Sequence, residues 1–292
     1  MQIKTRSRVW FITGISRGLG RALALEVLAG GGTVIGTTRS GAVDYVDEID
    51  ADDAQRLTVL RLDVCDAQMC YQVAKAAIAI YKRIDVLVNN AGYGLIGAVE
   101  ETALADARDV FETNFWGTTN VTKAFLPYLR NQWHGHIINI SSIAGVAPGA
   151  GSPFYAAAKF AVEGLSNALA QEIEPLGLKL TVIEPGAFRT EFLGSDSLRH
   201  ADVRLADYDS TCGAARLAFQ NMDGNQGGDP QKAARVIIGI ALAPDAPLHL
   251  LLGSDAFKRA SAKLDQLQSE LRANAELTMS TDFASAKQCA SA

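Results

Sequence analysis

The chain has 292 residues, of which 48% are hydrophobic and 20% are charged, and this composition is sufficient for a sizeable core. Its net charge of −5 gives no basic field for nucleic acid or for an anionic membrane surface, so neither partner is expected. No apolar run approaches the roughly 18 residues of a membrane span. The four cysteines form no Cys-x-x-Cys pair, so we expect no metal site, and reduced thiols predict a cytoplasmic protein.

Short apolar segments alternate with longer helical patterns along the chain. Strands are predicted at residues 9–13, 33–38, 57–62, 86–89, 137–141, 178–183 and 248–252, and helices at residues 18–29, 67–81, 105–129, 155–174 and 230–242. Most of these strands lack alternation, as expected when helices cover both faces of a sheet. The order predicts an α/β fold, a single Rossmann-like domain over residues 1–292 whose doubly wound parallel sheet occupies residues 7–253, with helices on both faces.

The N-terminal residues are basic and precede an apolar run, residues 9–12, that is only four residues long. The core of a signal peptide is longer than this, so the run predicts the first strand of the domain instead.

Two segments depart from the regular alternation. Residues 187–228 have weak periodicity and scattered apolar side chains, a pattern typical of lids and binding loops. Residues 254–275 are a predicted C-terminal helical extension, because apolar residues between Phe257 and Leu271 recur at steps of three and four. This seam is shorter than three heptads, which does not favour a coiled coil. Residues 276–292 are a polar tail.

A glycine-rich turn follows the first strand. Residues 13–20 read Thr-Gly-Ile-Ser-Arg-Gly-Leu-Gly and lead directly into the first helix. Glycines here let the backbone approach a pyrophosphate, and the helix N-terminus offers free N–H groups and a favourable dipole. Glycines also serve ordinary tight turns, but the position between a strand and a helix strengthens the prediction of a dinucleotide site.

The end of the second strand distinguishes between two cofactors. NAD sites usually place an acidic residue there to bind the ribose hydroxyls. This chain instead has Thr38-Arg39-Ser40, and an arginine can hold a 2′-phosphate through two parallel hydrogen bonds. Arg17, in the glycine turn, is a second candidate for the same phosphate. Both are also compatible with ordinary surface arginines, but together they favour NADP(H) over NAD(H).

Polar and small residues follow the next two strands. Asp63-Val64 end the third strand, where a carboxylate can accept a hydrogen bond from an adenine amine. Asn90-Ala91-Gly92 follow the fourth strand and permit close approach of a cofactor, although this sequence is also a common turn. Asn114 lies within the helix predicted at residues 105–129. An asparagine there usually points to solvent, but among apolar neighbours it can hold a kink or a water.

Tyr155 and Lys159 are one helical turn apart and share a helix face. Lowering the pKa of a tyrosine from about 10 to about 7 requires roughly 4 kcal/mol. A lysine charge about 5 Å away, at an effective dielectric of about 20, supplies roughly 3 kcal/mol, and a cationic cofactor ring can supply the rest. The pair is therefore a candidate proton donor, although Tyr-x-x-x-Lys also occurs by chance in many helices.

These motifs, with Ser142 and Pro185-Gly186-x-x-x-Thr190, resemble the short-chain dehydrogenase/reductase family, in the branch with the Thr-Gly-x-x-x-Gly-x-Gly turn. The resemblance keeps the order and spacing of every motif, and it departs only in the long segment after Gly186 and in the extension beyond Gly253. An extended-family epimerase or dehydratase shares Tyr-x-x-x-Lys but usually spaces its glycines differently.

The resemblance implies a role for each matched residue. Tyr155 would be the general acid in ketone reduction and the base in alcohol oxidation, while Ser142 would steady the developing oxyanion. Lys159 would bind the nicotinamide ribose and depress the pKa of Tyr155, and Asn114 would hold a water that links Lys159 to solvent. The expected catalytic residues are Asn114, Ser142, Tyr155 and Lys159. The expected cofactor-binding residues are Gly14, Ser16, Arg17, Gly18, Leu19, Gly20, Thr38, Arg39, Asp63, Val64, Asn90, Ala91, Gly92, Tyr155, Lys159, Pro185, Gly186, Phe188 and Thr190.

The expected function is then an NADP(H)-dependent alcohol dehydrogenase or carbonyl reductase. Apolar residues between Phe188 and Met222 favour a lipophilic ketone, aldehyde or secondary alcohol, although they are equally compatible with packing of the lid. The alternative is a dinucleotide-binding sensor or regulator that has lost catalysis, and the four filled catalytic positions argue against it. The family's usual assemblies predict a homodimer, with a tetramer as the alternative, because the C-terminal extension would cover a second interface.

Overall fold

A seven-stranded parallel sheet forms the centre of the protein in a computed structural model, which describes residue 5 and residues 8–194 and 196–283. Its strands are β1 (Val9–Thr13), β2 (Thr33–Thr38), β3 (Leu57–Arg61), β4 (Val86–Asn89), β6 (Gly135–Ile140), β7 (Leu178–Pro185) and β9 (His249–Leu252), in the order β3-β2-β1-β4-β6-β7-β9. Two short strands, β5 (Gly94–Ile96) and β8 (Leu198–His200), pair separately. The predicted doubly wound sheet is confirmed.

The helices of the described residues are α1 (Gly18–Ala29), α2 (Ala51–Gln55), α3 (Ala67–Tyr81), α4 (Leu104–Phe111), α5 (Gly117–Gln132), α6 (Pro153–Ile173), α7 (Ala214–Met222), α8 (Pro230–Leu242), α9 (Ser254–Ala273) and α10 (Ala275–Met279). Within this described part of the chain, no helix combines the length and the apolar character that crossing a lipid bilayer requires.

The core lies on both faces of the sheet, because successive strand residues point to opposite sides. Phe11 on β1 packs against Phe125 of α5, with ring centroids 4.3 Å apart. Its neighbours Trp10 and Ile12 face the other side, among residues of α1 and α8, and all three β1 side chains are fully buried. Helices on both faces explain why the strands are apolar throughout.

The sheet reverses its winding at β1, which pairs with both β2 and β4. In doubly wound sheets a crevice opens at this switch point, at the carboxyl ends of the strands. The loops that follow β1, β2, β3 and β4 therefore meet at one edge, and they carry the glycine turn, Arg39, Asp63 and Asn90.

The single helix expected at residues 105–129 is interrupted in the structure. A π-helical segment, Glu112–Trp116, separates α4 from α5 and contains Asn114. The Asn114 side chain is completely buried, so it does not point to solvent. One extra residue in the turn re-aims this side chain towards the backbone of Tyr93, and such π-bulges commonly accompany functional sites.

The segment at residues 187–228 contains more regular structure than its weak periodicity indicated. It includes β8, a π-helical segment (Asp209–Gly213) and α7. The buried residue of α7 is a charged one, Arg216, whereas its Leu217 is 61% exposed. An apolar pattern therefore could not reveal this helix, because a polar contact holds it in place.

The predicted C-terminal helix is present as α9, and it packs on the body through small side chains. Ala256 and Ala260 are buried against Ile143 and Ala147. The larger members of the expected seam, Phe257, Leu264, Leu267 and Leu271, are instead exposed. The helical structure continues into α10, beyond the predicted boundary at residue 275. Residues 284–292 of the predicted tail lie outside the described residues.

Candidate active site

A cleft of about 920 Å³ opens at the carboxyl ends of the central strands. All the residues expected to bind the cofactor line this cleft except Gly20, as do three of the four expected catalytic residues. The fourth, Asn114, lies behind the surface of the cleft. The fold thus brings together motifs that are far apart in the sequence, because the carboxyl ends of the central strands meet at one crevice.

The glycine turn requires its glycines for steric reasons. Gly14 has a positive φ of 71°, and a side-chain carbon there would lie 3.0 Å from the Cα atom of Ala91. A side-chain carbon at Gly20 would lie 2.2 Å from the carbonyl oxygen of Gly14. Larger residues would therefore displace the turn from β4, and the backbone would no longer present its amides at the start of α1.

Two side chains clamp the glycine turn to the end of β4. The Thr13 hydroxyl accepts hydrogen bonds from the backbone N–H groups of Asn90 and Ala91 at 2.9 and 3.0 Å. In return, the Asn90 side chain donates to the carbonyl oxygens of Thr13 and Gly14, both at 2.9 Å. The glycine turn and the segment that follows β4 therefore act as one rigid unit.

The N-terminus of α1 already attracts an anion. The Gly18 N–H donates to a carboxylate oxygen of Glu191 at 3.2 Å, and Arg17 donates to Asp196 at 2.8 Å. Both acidic residues belong to the segment at residues 187–228. A carboxylate on a helix N-terminal amide indicates that this position suits a negatively charged group such as a phosphate.

Arg39 lies at the end of β2 and lines the cleft. The preceding Thr38 hydroxyl accepts from the Gly41 N–H at 2.9 Å and donates to the Ala42 carbonyl at 3.0 Å, so it shapes the turn that carries the arginine. Among the described residues, Arg39 forms no salt bridge, whereas Arg17 is paired with Asp196. A ligand would therefore have to displace Asp196 to pair with Arg17, whereas it would displace no acidic partner from Arg39.

Tyr155 and Ser142 lie together in the cleft, beside Phe192 from the long segment. The rings of Tyr155 and Phe192 have centroids 6.2 Å apart. Burial raises the pKa of Tyr155 to about 12, against a hydrogen bond from Ser142 that lowers it. The direction is opposite to that expected from the lysine, because the desolvation of the phenolate outweighs any charge that the protein places beside it.

Lys159 is anchored beneath the tyrosine. Its Nζ donates to the Ile140 carbonyl at 2.8 Å and lies 5.8 Å from the centre of the Tyr155 ring. Burial lowers the pKa of Lys159 to about 8, although the nearby carboxylate of Glu163 raises it. The lysine can therefore change its charge near neutral pH, which a proton-carrying group requires.

Asn114 holds the backbone behind Lys159. Its side chain accepts from the Tyr93 N–H at 3.0 Å and donates to the Tyr93 carbonyl at 2.8 Å. A side-chain carbon at Gly92 would lie 2.4 Å from the Asn114 amide oxygen and 3.8 Å from Nζ of Lys159. The amide is thus committed to fixing the loop after β4 against the lysine, while its expected role in holding a water stays a prediction.

Asp63 and the segment of residues 185–190 both contribute to the lining of the cleft. The Asp63 carboxylate accepts from the Cys65 N–H at 3.0 Å, which fixes it at the end of β3. The Gly186 N–H donates to Leu252 at 2.8 Å, so this turn is tied to β9. Thr190 approaches the glycine turn, since a side-chain carbon at Gly18 would lie 3.7 Å from its Cβ.

The family model described as short chain dehydrogenase matches residues 8–200. The chain belongs to the short-chain dehydrogenase/reductase family. Oxidoreductase BOA17 of Botryotinia fuckeliana is 36% identical over 275 residues, which are 94% of this chain and 99% of that protein. Retinol dehydrogenase 8 of Homo sapiens is 33% identical over 83% of this chain and 80% of its own length. A crystal structure of a short-chain dehydrogenase from Streptomyces avermitilis has 39% identity and a TM-score of 0.87, covering 94% of this chain and 99% of that one.

Solved structures of the family contain both nicotinamide cofactors. ElxO with NADP bound is 27% identical with a TM-score of 0.68, covering 84% of this chain and 96% of that chain. A relative from Burkholderia phymatum in complex with NAD has a TM-score of 0.77 over 94% of this chain and 96% of that chain, but at 22% identity it shows the fold alone. This short-chain dehydrogenase is thus an oxidoreductase of a family whose members use NAD or NADP.

Several residues of this short-chain dehydrogenase line the cleft without having been predicted. Asp255, at the start of α9, accepts from the Ala187 N–H at 2.9 Å, and its carboxylate fills the space where Gly186 lacks a side chain. Arg199 stacks over Tyr93, 4.4 Å from the ring centre. Asp255 lies beyond the stretch that matches the family, so no motif signalled it, and only the return of α9 onto β9 brings it to the site.

Proposed function

We propose that this protein interconverts a carbonyl and an alcohol, as an NADP(H)-dependent alcohol dehydrogenase or carbonyl reductase. The observation that carries the proposal is the meeting of Ser142, Tyr155 and Lys159 in one cleft with the glycine turn. The bound cofactor would supply or accept the hydride, and the residues described below bind, orient and move a proton.

Each catalytic side chain has a distinct task. Tyr155 is protonated over the whole neutral range, because its pKa is raised to about 12. Its hydroxyl group therefore holds the proton that carbonyl reduction consumes. The Ser142 hydroxyl stands beside it and donates to the same substrate oxygen as negative charge develops there. Lys159 sits behind both, and its ammonium group favours the phenolate that remains after the proton has left.

The glycine turn and Arg39 support a cofactor with a 2′-phosphate. Gly14, Ser16, Arg17, Gly18 and Leu19 line the cleft where a pyrophosphate would lie, and Gly20 allows the turn to fold closely on Gly14. Arg39 follows β2 where NAD-specific sites usually have an acid, and a guanidinium matches a phosphate through two parallel hydrogen bonds. Asp63 and Val64 flank the expected adenine position, and Pro185, Gly186, Phe188 and Thr190 flank the nicotinamide end.

A lipophilic substrate is part of the same proposal, with residues 187–228 as a lid of the single domain. Phe192, Phe219 and Met222 from this segment line the cleft, as does Leu95, and the Phe192 ring centroid is 6.2 Å from that of Tyr155. The relative named retinol dehydrogenase 8 is consistent with this class of substrate. Polar side chains such as Arg199 also line the cleft, so a substrate with an apolar body and one polar end fits best.

The test is NADPH oxidation with a panel that contains all-trans-retinal, acetophenone and glyceraldehyde. We expect turnover of the first two and little of the third. Tyr155→Phe should reduce kcat by about 100-fold or more, the usual scale of a lost general acid, while NADPH binding measured by fluorescence is retained. Near-normal activity of this variant would refute the mechanism, and fastest turnover of glyceraldehyde would refute the lipophilic substrate. Absence of turnover with tight NADPH binding would favour the regulator instead.

We further propose a homodimer in a reducing compartment such as the cytoplasm. Exposed aromatic side chains on neighbouring helices, Trp116 and Phe160, support a surface for a second copy of the chain. The first half of α9 packs beside β9, which supports the idea that the extension covers the second interface of family tetramers. The thiols of Cys65, Cys70 and Cys212 are free, as suits a reducing environment.

A further inference from the structure

Three polar side chains lie behind Lys159 and connect it with the surface. Glu163 is one turn further along α6, Glu184 is on β7 and His249 is on β9. One carboxylate oxygen of each glutamate and one ring nitrogen of His249 all lie within 4.8 Å of one another. Glu163 and Glu184 are buried, whereas the His249 side chain is 42% exposed. None of the three is among the described residues that line the cleft, so this cluster reaches solvent by a different route.

The hydrogen bonds of His249 define what this cluster is suited for. The Asn167 side chain donates from Nδ2 to the Glu163 carbonyl at 2.8 Å, so its Oδ1 faces Nε2 of His249 at 3.0 Å. Since an amide oxygen only accepts, Nε2 carries a hydrogen. Nδ1 lies 2.8 Å from a carboxyl oxygen of Glu184, so these two groups share one hydrogen between them. Both ring nitrogens are therefore engaged in hydrogen bonds, and neither offers a free lone pair to a metal, so the cluster is arranged for proton transfer.

Glu163 is surrounded by groups that control its charge from every neighbouring element. These are Ser141 after β6, Glu184 on β7, His249 on β9 and Lys159 on its own helix. Burial and the charge of Glu184 raise the pKa of Glu163 to about 7, against lowering by the other three. Lys159 moves in the opposite direction, because burial lowers its pKa. The two groups therefore approach each other in proton affinity, which favours transfer between them.

We propose that Glu163, Glu184 and His249 form a proton path that connects Lys159 with solvent outside the cleft, and that Glu163 is a positioning residue of the reaction. The inference rests on the proposed function. In alcohol oxidation the bound cofactor would accept the hydride, and the Tyr155 phenolate takes the one proton that the substrate hydroxyl releases. Lys159 is an ammonium at this stage; it gives up its own proton and receives the phenol proton in its place, so that the phenolate and the ammonium are both restored.

The Glu163 carboxylate takes the proton that the Lys159 ammonium gives up and passes it to the Glu184–His249 pair, which exchanges it with water. Carbonyl reduction uses the same steps in reverse, so that one proton enters from solvent for each hydride transferred. A path of this kind operates while substrate and cofactor fill the cleft, since His249 is reached from another side of the molecule.

The first test measures the coupling without any cofactor or substrate. Protein labelled with 13C at the lysine ε-carbons is titrated by NMR, and the Lys159 signal is assigned with Lys159→Met. In Glu163→Gln we expect the pKa of Lys159 to fall by about one unit, because a carboxylate that favours the ammonium form is gone. Glu172→Gln, an exposed change of the same type on α6, should leave it unchanged. An unchanged Lys159 titration in Glu163→Gln would overturn the proposal.

The second test uses NADPH and the best carbonyl substrate of the panel. Glu163→Gln should lower kcat about tenfold and move the ionisation in its pH profile to lower pH by about one unit, with KM little changed. Glu163→Asp should restore most of the lost kcat and most of the shift in the pH profile. His249→Gln should lower kcat but should change the pKa of Lys159 less than Glu163→Gln does. A uniform loss across all pH values, or no difference from Glu172→Gln, would show a structural role and overturn the path.

The two proposals can fail separately. If the wild-type protein reduces no carbonyl compound, the proposed function fails, while the NMR titration still reports on the coupling of Glu163 to Lys159. If the wild-type protein is active but Glu163→Gln matches it in pH profile, the proton path alone is refuted. If Glu163→Gln does not fold, His249→Gln provides the kinetic comparison, and a kcat equal to that of Glu172→Gln would overturn the path.

Discussion

At the scale of single residues, burial rather than neighbouring charge dominates the proton chemistry of the site. Tyr155 and Lys159 both move towards their neutral forms, since each loses hydration in the cleft floor. The lysine is 5.8 Å from the ring centre and donates to a backbone carbonyl, which leaves the phenol without a direct cationic partner from the protein. Lowering the pKa of Tyr155 therefore requires additional positive charge, and an oxidised nicotinamide ring is a group of this kind.

Arg39 is the residue that best tests the choice of cofactor. In Arg39→Asp we expect NADPH affinity to fall about 10- to 100-fold, since hydrogen bonds to charged groups contribute about 1.5–3 kcal/mol and 1.4 kcal/mol corresponds to tenfold. NADH affinity should change little or improve, because the new carboxylate can accept from ribose hydroxyls. Dissociation constants for both cofactors can be measured by fluorescence titration.

The matched control for this change is Arg61→Asp. Arg61 is an exposed arginine at the end of the adjacent strand β3, and it does not belong to the described lining of the cleft. Arg61→Asp measures how much NADPH affinity falls when negative charge is added near the site without removing Arg39. Equal losses of NADPH affinity in the two variants would remove Arg39 from the phosphate site.

Among the helices and loops, two segments are positioned by buried polar contacts and not by an apolar pattern. The π-helical segment between α4 and α5 aims Asn114 at Tyr93, and Glu101 holds the segment at residues 187–228. The buried Glu101 carboxylate pairs with Arg216 of α7 and accepts from the Leu205 N–H at 3.0 Å. Burial alone would raise the pKa of Glu101, but the N–H groups that face it lower that pKa to about 2.

This anchor predicts that Arg216→Met loosens the lid more than it unfolds the domain. Removing one partner of a buried ion pair typically costs about 3–5 kcal/mol, because the remaining charge is left unpaired. We expect faster proteolytic cleavage within residues 187–228 and a higher KM for the carbonyl substrate. The double variant Glu101→Gln/Arg216→Met should lose less than Arg216→Met alone.

Arg204→Met is the control for this prediction, because Arg204 is an exposed arginine of the same segment. Limited proteolysis followed by mass spectrometry identifies where cleavage occurs. Cleavage rates in Arg216→Met that equal those of Arg204→Met would contradict the role of the ion pair in holding the lid.

Two groups among the exposed apolar side chains of the described residues bear on how copies of the chain assemble. Trp116 and Phe160 are 47% and 45% exposed, on the π-helical segment before α5 and on α6. Phe257 and the leucines of α9 form a second exposed group at the C-terminal end. Only the first group is continuous with helices of the central domain, so we expect it to carry the dimer.

Light scattering should therefore return twice the 31.0 kDa mass of one chain. Phe160→Asp should shift the protein towards monomer, because a charge replaces apolar surface in the interface. Phe257→Asp, the matched change on α9, should leave the dimer intact. A tetramer mass for the wild-type protein, or dissociation by Phe257→Asp instead, would contradict this assignment.

The order of apolar and polar segments was sufficient to predict the sheet and its winding, and the motifs predicted which strand ends would meet. Uniformly apolar strands report burial on two faces directly, and residues such as Gly14, Ser142 and Tyr155 stand at fixed offsets from strand ends. Parallel strands then carry those ends to one edge. This local information is sufficient because each motif is attached to a strand whose place in the sheet is set by the order of the chain.

Packing in three dimensions sets the sign of the Tyr155 pKa shift, the burial of Asn114 and the contacts of the C-terminal helix. Burial depends on all elements packed around a group, and no spacing along the chain reports it. Asp255 and Glu101 reach their partners across more than 60 residues, through polar contacts that leave no periodic pattern. The same reason explains why Glu163, Glu184 and His249 were not recognised as a cluster, since one helix and two strands bring them together.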